Sequence, residues 1–445
     1  MPNKLVILNV ARRAAISAGG GGTLPVLRKR EAQPPSSNFI AAFDRLRSQA
    51  THPIAQFGPS RASDHHRQYT RPRKHPSIKQ PHKAVAIMLE QFHVPEDIAY
   101  RVQHDALKDT CTELLEKAGL PEADARLAAD VLVASDLRGV ETHGVSNLMR
   151  NYITGLGNGH LNPHPNMRIV RETPACATID SDAGMGVVIA PKAMEIAIEK
   201  GKATGAGLVT IANGRHLGMA GYHAMMALEH DMIGQCMTAC GPSFVPTFAA
   251  EAAIGTNPIA IAAPAGEEPP FVFDAAMSIL AANKITLAKR LGVDLEPGWI
   301  ANPDGTPITE AGPVPDEYML LPAGSTRELG SHKSYSLGVV VDILGGLLNG
   351  SPAGPMAPRG NNNHFVAAYD IEAFIDVQDF KKGMDEYLRA LRDLKPAPGH
   401  DRVFYAGLPE HEETAERKEH GIPLHPEVID WFRSACSELG VEFRL

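Results

Sequence analysis

Between residues 191 and 291 helical and strand patterns alternate, and this alternation constrains the fold more than any other feature. Residues 191–200 read as a helix and 207–211 as a strand. Residues 219–230 read as a helix and 233–238 as a strand. Strands at 258–263 and 271–273 follow, then a helix at 278–291. Such a succession predicts an α/β domain. Helical patterns flank it. A run through Ile98, Val102, Ala106, Cys111, Leu114 and Leu115 reads as a helix ended by Gly119. Pro121-Glu122-Ala123-Asp124 opens another, with acids at the positive end of the helix dipole. Further on, 335–348 reads as a strongly apolar, buried helix, 365–371 as a strand, and 377–394 and 426–440 as helices.

Charge divides the chain unevenly. The 445 residues carry 43 Lys and Arg against 51 Asp and Glu, a net −8. Residues 1–83 hold 15 bases and three acids, a balance of +12, and the rest holds 28 bases and 48 acids, a balance of −20. The basic segment is rich in Gly, Pro, Ser and His and buries too little to offset its ordering entropy. Residues 1–87 are therefore expected to be a disordered basic extension. Leu5, Ile7, Leu8 and Ala11, among Lys4, Arg12 and Arg13, fit a basic amphipathic helix. Residues 1–30 would then be a transit peptide to the mitochondrial matrix, the alternative to a cytoplasmic location. No apolar run of about 18 residues occurs, so no membrane span is expected. A pI near 6.2 argues against a nucleic-acid partner. Five scattered cysteines read as reduced thiols, not a disulfide framework.

The candidate chemistry lies in the breaks between elements. His143 sits in a polar break between two helical patterns. His216 follows the strand at 207–211, at a carboxyl end where α/β sheets hold ligands. Each reads as a catalytic or a structural histidine. The spacing Gly155-x-Gly157-x-Gly159 is wrong for a dinucleotide fingerprint, and Gly205-x-Gly207 lacks its third glycine. No P-loop and no compact metal-ligand group appear, so no metal is expected. Gly255-Thr256-Asn257-Pro258 is a turn. Asp274 to Ser278 lies between a strand and a helix, where Asp274 or Ser278 is placed to cap. His332 and Lys333 start a helix against its dipole, which suggests an anionic ligand.

Taken in order, these segments resemble the malate/L-lactate dehydrogenase family of the second, non-Rossmann type. The resemblance rests on 134–145 (Ala-Ser-Asp-Leu-Arg-Gly-Val-Glu-Thr-His-Gly-Val), 213–218 (Asn-Gly-Arg-His-Leu-Gly), 255–258, 274–278 and 332–335, with weaker matches at 364–365 and 398–400. It covers residues 94–445. It implies a family-specific NAD(P)-binding α/β domain without the glycine fingerprint. It also implies a largely helical substrate and dimerisation domain built from both ends of the chain. The expected limits are 1–87 for the extension, 88–180 and 326–445 for the helical domain, and 181–325 for the NAD(P)-binding domain. The implied protein is a homodimeric oxidoreductase that moves a hydride between NAD or NADP and a small 2-hydroxy or 2-keto carboxylic acid.

By the same resemblance, Asp274, Ala275, Ala276, Ser278, His332, Lys333, Gly399, His400 and Asp401 surround the cofactor. His143 and His216 match the histidines to which family members assign the proton transfer. Histidine's ordinary pKa, about 6.5, suits a group that takes and returns a proton. Arg138, Thr142, Asn147, Arg150 and Asn257 are the expected substrate-binding residues. Asn147 stands where many members have Arg, and Arg150, one turn on, is the expected substitute. The alternatives are reduction of a cyclic imino acid with the same cofactor, and a catalytically inactive cofactor-binding homologue. A metal-dependent hydrolase is the remotest reading.

Overall fold

The computed structural model describes residues 90–360 and 362–445. The expected extension at 1–87 and its amphipathic helix lie outside the described residues. The described chain begins with a short strand, Tyr100–Val102 (β1), and helices His104–Lys117 (α1), Glu122–Leu137 (α2) and Val145–Gly157 (α3). The first helix starts later than its apolar spacing predicts, because Val102 pairs in a strand with Ile422. Strands Arg168–Glu172 (β2) and Cys176–Asp180 (β3) follow, then helix Gly186–Thr204 (α4), strand Ala206–Gly214 (β4), helix Ala220–Met225 (α5) and strand Met232–Ala239 (β5). Next come Ile259–Ala263 (β6), Phe271–Ala275 (β7), helix Ala282–Leu291 (α6), and the short pair Ile300–Ala301 (β8) and Met319–Leu320 (β9). The chain closes with helix Ser331–Val341 (α7), strand Asn362–Asp370 (β10), helices Val377–Arg392 (α8) and Leu408–His420 (α9), strand Ile422–Leu424 (β11) and helix Pro426–Leu439 (α10).

Local chemistry sets several of these ends. The Asp376 carboxylate caps α8 by accepting the N–H groups of Gln378 and Asp379. Pro426 occupies the first turn of α10, where a missing N–H costs nothing. α6 begins at Ala282, later than expected, and neither Asp274 nor Ser278 caps it. The Ser278 hydroxyl bonds to the Leu280 carbonyl instead.

The main sheet runs β2-β3-β4-β10-β5-β6-β7. Only β3 and β4 are parallel. β10 is inserted between β4 and β5, antiparallel to both, with Phe365 opposite Thr210 on one side and Met237 on the other. The sheet thus takes strands from before and after residues 181–325. Successive residues of β10 face opposite sides, as a strand requires. Val366 and Ala368 pack with α4 and α5 through Ile189, Ala193, Ala197 and Ala224. Phe365 and Ala367 pack on the other face with Phe244, Ile254, Met277 and Val341.

A separate core joins both ends of the described chain. Leu107, Leu114, Leu132, Met149 and Phe432 bring α1, α2, α3 and α10 together, and β1 pairs antiparallel with β11 beside them. The molecule is therefore a mixed α/β protein with a largely helical part drawn from the two ends. No helix among the described residues is long and apolar enough to cross a membrane.

The apolar run at 335–348 departs from expectation in two ways. α7 passes into a π turn, Asp342–Gly346, and then a 3-10 turn, Leu347–Asn349. It is also not buried: Leu337, Val340, Ile343, Leu347 and Leu348 are 39–58% exposed. One face, with Gly338, Val341 and Gly345, lies on the sheet, and the opposite face meets nothing among the described residues.

α9 is held to the helical part by a buried cation. Arg417 is fully buried and donates to the Asp136 carbonyl (2.7 Å), Glu141 Oε1 (2.8 Å) and Glu413 Oε1 (2.6 Å). Removing one member of such a group leaves a charge buried alone. Arg417→Ala is expected to lower stability by about 3–5 kcal/mol in a denaturant titration. A loss under about 1 kcal/mol would show that the group is not needed for folding.

Candidate active site

The break around His143 is built by residues from α2. Asp136, in the last turn of α2, accepts the Val145 N–H on Oδ2 at 2.8 Å and so fastens the start of α3. Between them Glu141–His143 forms a 3-10 turn. The fit leaves no room at Gly144, where a Cβ would lie 2.0 Å from Asp136 Oδ1. Burial pushes the Asp136 carboxyl up to about 8, and the nearby Glu141 charge adds to it. The Val145 N–H and Arg417 act the other way without cancelling it. Asp136 is therefore a neutral acid at pH 7.

His216 stands on the loop after β4. Its Nδ1 lies 3.1 Å from the Gly218 N–H and 3.1 Å from the Tyr152 hydroxyl. A backbone N–H only donates, so the neutral ring accepts on Nδ1 and carries its proton on Nε2. The His143 ring stacks beside it, with centroids 5.6 Å apart and planes 13° apart. His143 Nδ1 is 2.8 Å from Thr142 Oγ1, whose backbone carbonyl accepts from Asn283 at 2.7 Å. Burial lowers both histidines, His143 to about 3 with a further push from His216, and His216 to about 4. Both rings are half-buried, and solvent reaching them moderates the shift. They are neutral at pH 7.

Both histidines line one cavity of about 1310 Å³. Arg138, Thr142, Asp274, Ala275, Ala276 and Ser278 line it too. Arg138 is half-buried, and its side chain makes no hydrogen bond or ion pair among the described residues. Burial lowers its pKa, and Glu410 and Asp274 oppose that. Asp274 accepts the Gly221 N–H at 2.6 Å. The surrounding protein pushes its carboxyl to about 6 against the Gly221 bond and Arg138. Cavity solvent still reaches this side chain.

Other expected site residues lie elsewhere. Arg150 points away, pairing with Glu427 at 2.9 Å and lying over Trp431. The helical period explains this: Leu148, Asn151 and Tyr152 share the cavity face of α3, and Arg150 falls on the opposite side. Asn147 is buried, donates to the Glu141 carbonyl and accepts from Arg290. Asn257 is fully buried and ties the Cys240 N–H to Gly338 and Asp342. His332 and Lys333 occupy the first turn of α7, and Gly399, His400 and Asp401 an exposed loop; none lines the cavity.

The cavity also holds residues that sequence reasoning passed over: Tyr152, Arg215, Asn283, Lys284 and Glu410. Lys284 had a legible signal, since it opposes the dipole in the first turn of α6 just as Lys333 does in α7. It is half-buried, lies over the Phe92 ring at 5.5 Å and has no acidic partner within 4 Å among the described residues. Glu410 arrives from α9, and nothing local marks it.

Residues 102–433 match the model of the malate/L-lactate dehydrogenase family. The chain belongs to this family. The family's malate dehydrogenase from Pyrococcus horikoshii is 38% identical over 361 residues, spanning 80% of this chain and 99% of that protein. Its solved structure superposes with a TM-score of 0.72 over 79% of this chain and 99% of that one. The L-sulfolactate dehydrogenase of Methanocaldococcus jannaschii is 35% identical, over 75% of this chain and 96% of that protein. The ureidoglycolate dehydrogenase (NAD(+)) of Escherichia coli is 28% identical, over 75% and 95%.

The neutral Asp136 makes a pH-dependent contribution. Its folded pKa, about 8, lies above the ordinary carboxyl value. The native state thus holds an extra proton between about pH 4 and 8. The stabilisation is complete below that window and is lost as pH rises through it. Asp136→Asn should remove this dependence, so the Tm of wild type minus that of the variant falls steadily from acid toward neutral pH. Parallel Tm curves would contradict the neutral acid.

Proposed function

We propose that the chain catalyses reversible hydride transfer between a nicotinamide cofactor, NAD or NADP, and a small 2-hydroxy or 2-keto carboxylic acid. What carries this reading is the cavity that joins two stacked neutral histidines to cations without ion-pair partners among the described residues, Arg138 and Lys284 among them. Its volume, about 1310 Å³, exceeds the roughly 300–1,000 Å³ of ordinary small-molecule pockets and suits a dinucleotide together with an acid. Small residues, Gly218, Gly221, Gly241, Ala275 and Ala276, line it and permit close approach of a cofactor backbone. The bound cofactor supplies the hydride acceptor. Asp274, Ala275, Ala276 and Ser278 are its proposed contacts in the cavity. His332, Lys333, Gly399, His400 and Asp401 belong to the proposed set through the resemblance alone.

Oxidation requires a neutral base for the hydroxyl proton. His216 presents Nε2–H, so its role is to donate a hydrogen bond to the substrate oxygen. His143 is the proposed base, with Nδ1–H directed to Thr142 Oγ1 and a lone pair on Nε2. An anionic acid held by Arg138 or Lys284 raises the pKa of His143 when bound and equips it to return the proton. The names of the relatives, malate, sulfolactate and ureidoglycolate dehydrogenases, do not favour cyclic imine reduction.

The test follows reduced nicotinamide by absorbance with a panel of 2-hydroxy acids, 2-keto acids and cyclic imines. Turnover of one or more acids is expected, and cofactor binding without any turnover would leave the inactive homologue as the correct reading. His143→Asn should lower kcat by about 10²-fold. With both histidines depressed, kcat/KM for oxidation should stay level as pH falls through about 6.5. An inflection at that pH would count against the assignment.

We further propose a cytoplasmic homodimer joined through the exposed face of Leu337, Val340, Ile343, Leu347 and Leu348, an apolar stripe with no cover among the described residues. Ile343→Glu combined with Leu347→Glu should convert a dimer to a monomer in sedimentation velocity. A wild type that sediments as a monomer would end this proposal.

A further inference from the structure

The loop that bears His216 has its carbonyls held in an unusual way. Arg215 O accepts from His364 Nε2 at 3.0 Å, His216 O from the Tyr152 hydroxyl at 3.3 Å, and Leu217 O from His223 Nε2 at 2.8 Å. Three consecutive carbonyls are thus met by three ring side chains, carried by β10, α3 and α5. We propose that His364, Tyr152 and His223 are positioning residues that hold this loop and fix the place and Nε2–H tautomer of His216. The proposal rests on the catalytic reading of His216 given above.

Packing explains why side chains do this work. The first residue of α4, Gly186, presses on the loop so closely that a Cβ there would lie 2.1 Å from Arg215 O and 2.6 Å from His216 O. Water is kept from that side, and a buried carbonyl needs a donor from the protein. The donors are also determined by their surroundings. His364 and His223 are fully buried. Because carbonyls only accept, both carry a proton on Nε2. His364 Nδ1 then accepts from the Thr238 hydroxyl at 3.0 Å. His223 Nδ1 has no partner among the described residues, so a second proton there would be a buried unpaired donor. Burial keeps both rings neutral and the Tyr152 phenol protonated. A proton relay through His364 or His223 is unsuited to this geometry, since each ends on a carbonyl oxygen that passes no proton. The Tyr152 hydroxyl has a single proton and also lies 3.1 Å from His216 Nδ1, but the Gly218 N–H already donates to that nitrogen, so the phenol's bond to the His216 carbonyl is the one that holds the loop.

Two measurements test this. In ¹⁵N-histidine spectra of the wild-type protein, His216, His223 and His364 should each show a protonated Nε2 and an unprotonated Nδ1. An Nδ1–H tautomer at His223 or His364 would overturn the proposal. In kinetics, Tyr152→Phe, His223→Leu and His364→Leu should each lower kcat roughly tenfold or more, with the KM for cofactor unchanged. His223→Gln and His364→Gln, which return an amide N–H near the place of Nε2, should recover most of the loss. Folded Leu variants with wild-type kcat, or folded Gln variants no better than Leu, would overturn it. If the Leu variants do not fold, Tyr152→Phe and the Gln variants decide. The spectra need no substrate. A wild type that turns over no acid would overturn the functional reading alone, and wrong tautomers would overturn the positioning alone.

Discussion

The buried Arg417 group connects the parts of the molecule that have to agree. A guanidinium removed from water is tolerable only when its charge is paired and its nitrogens are hydrogen-bonded. Here they engage a residue of the His143 turn, Glu141, the end of α2 through the Asp136 carbonyl, and Glu413 on its own helix. A helix near residue 417 thereby sets the position of a turn near residue 141. The same helix brings Glu410 to the cavity wall beside Arg138. Asp136, next to this cation yet neutral, spends its one accepting bond on the start of α3. The turn that carries His143 is thus held from below by charge and from its far end by a neutral acid.

The second histidine depends on the sheet. β10 enters between β4 and β5 and delivers His364 to the underside of the loop that follows β4. His143 and His216, far apart in sequence, stack because the helical part and the sheet meet at this place. Their environments differ in one respect that matters chemically. The Gly218 N–H commits His216 to a donor at Nε2, whereas Thr142, a hydroxyl, leaves His143 free to present a lone pair. Two like residues in one cavity therefore divide into a donor and a base.

Much of this was legible in the chain. Helix and strand alternation indicates the α/β part, breaks between periodic runs locate both histidines and the 274–278 segment, and the resemblance adds Arg138 and Thr142; all of these but Met277 line the cavity. Arg150 lies off the cavity because the face of α3 that meets it is that of Leu148, Asn151 and Tyr152, and a residue two positions from Leu148 falls on the other side. Asn257 shows why a polar turn is ambiguous in sequence, since such a turn looks the same whether it meets ligand or, as here, three groups of its own chain. The run at 335–348 was apolar enough for a core, but apolarity alone does not say whether the covering surface belongs to the same chain.

The sequence by itself determined the local periods, the turn residues, the basic and acidic division and the ordered motifs of the family, because each depends on neighbours close along the chain. Only the tertiary structure decided which cations stand without acidic partners in the cavity, which tautomer His216 adopts, and which rings hold its loop. Those properties depend on donors and charges brought from α3, α5, α9 and β10. They exist only where distant segments close on one another and exclude water.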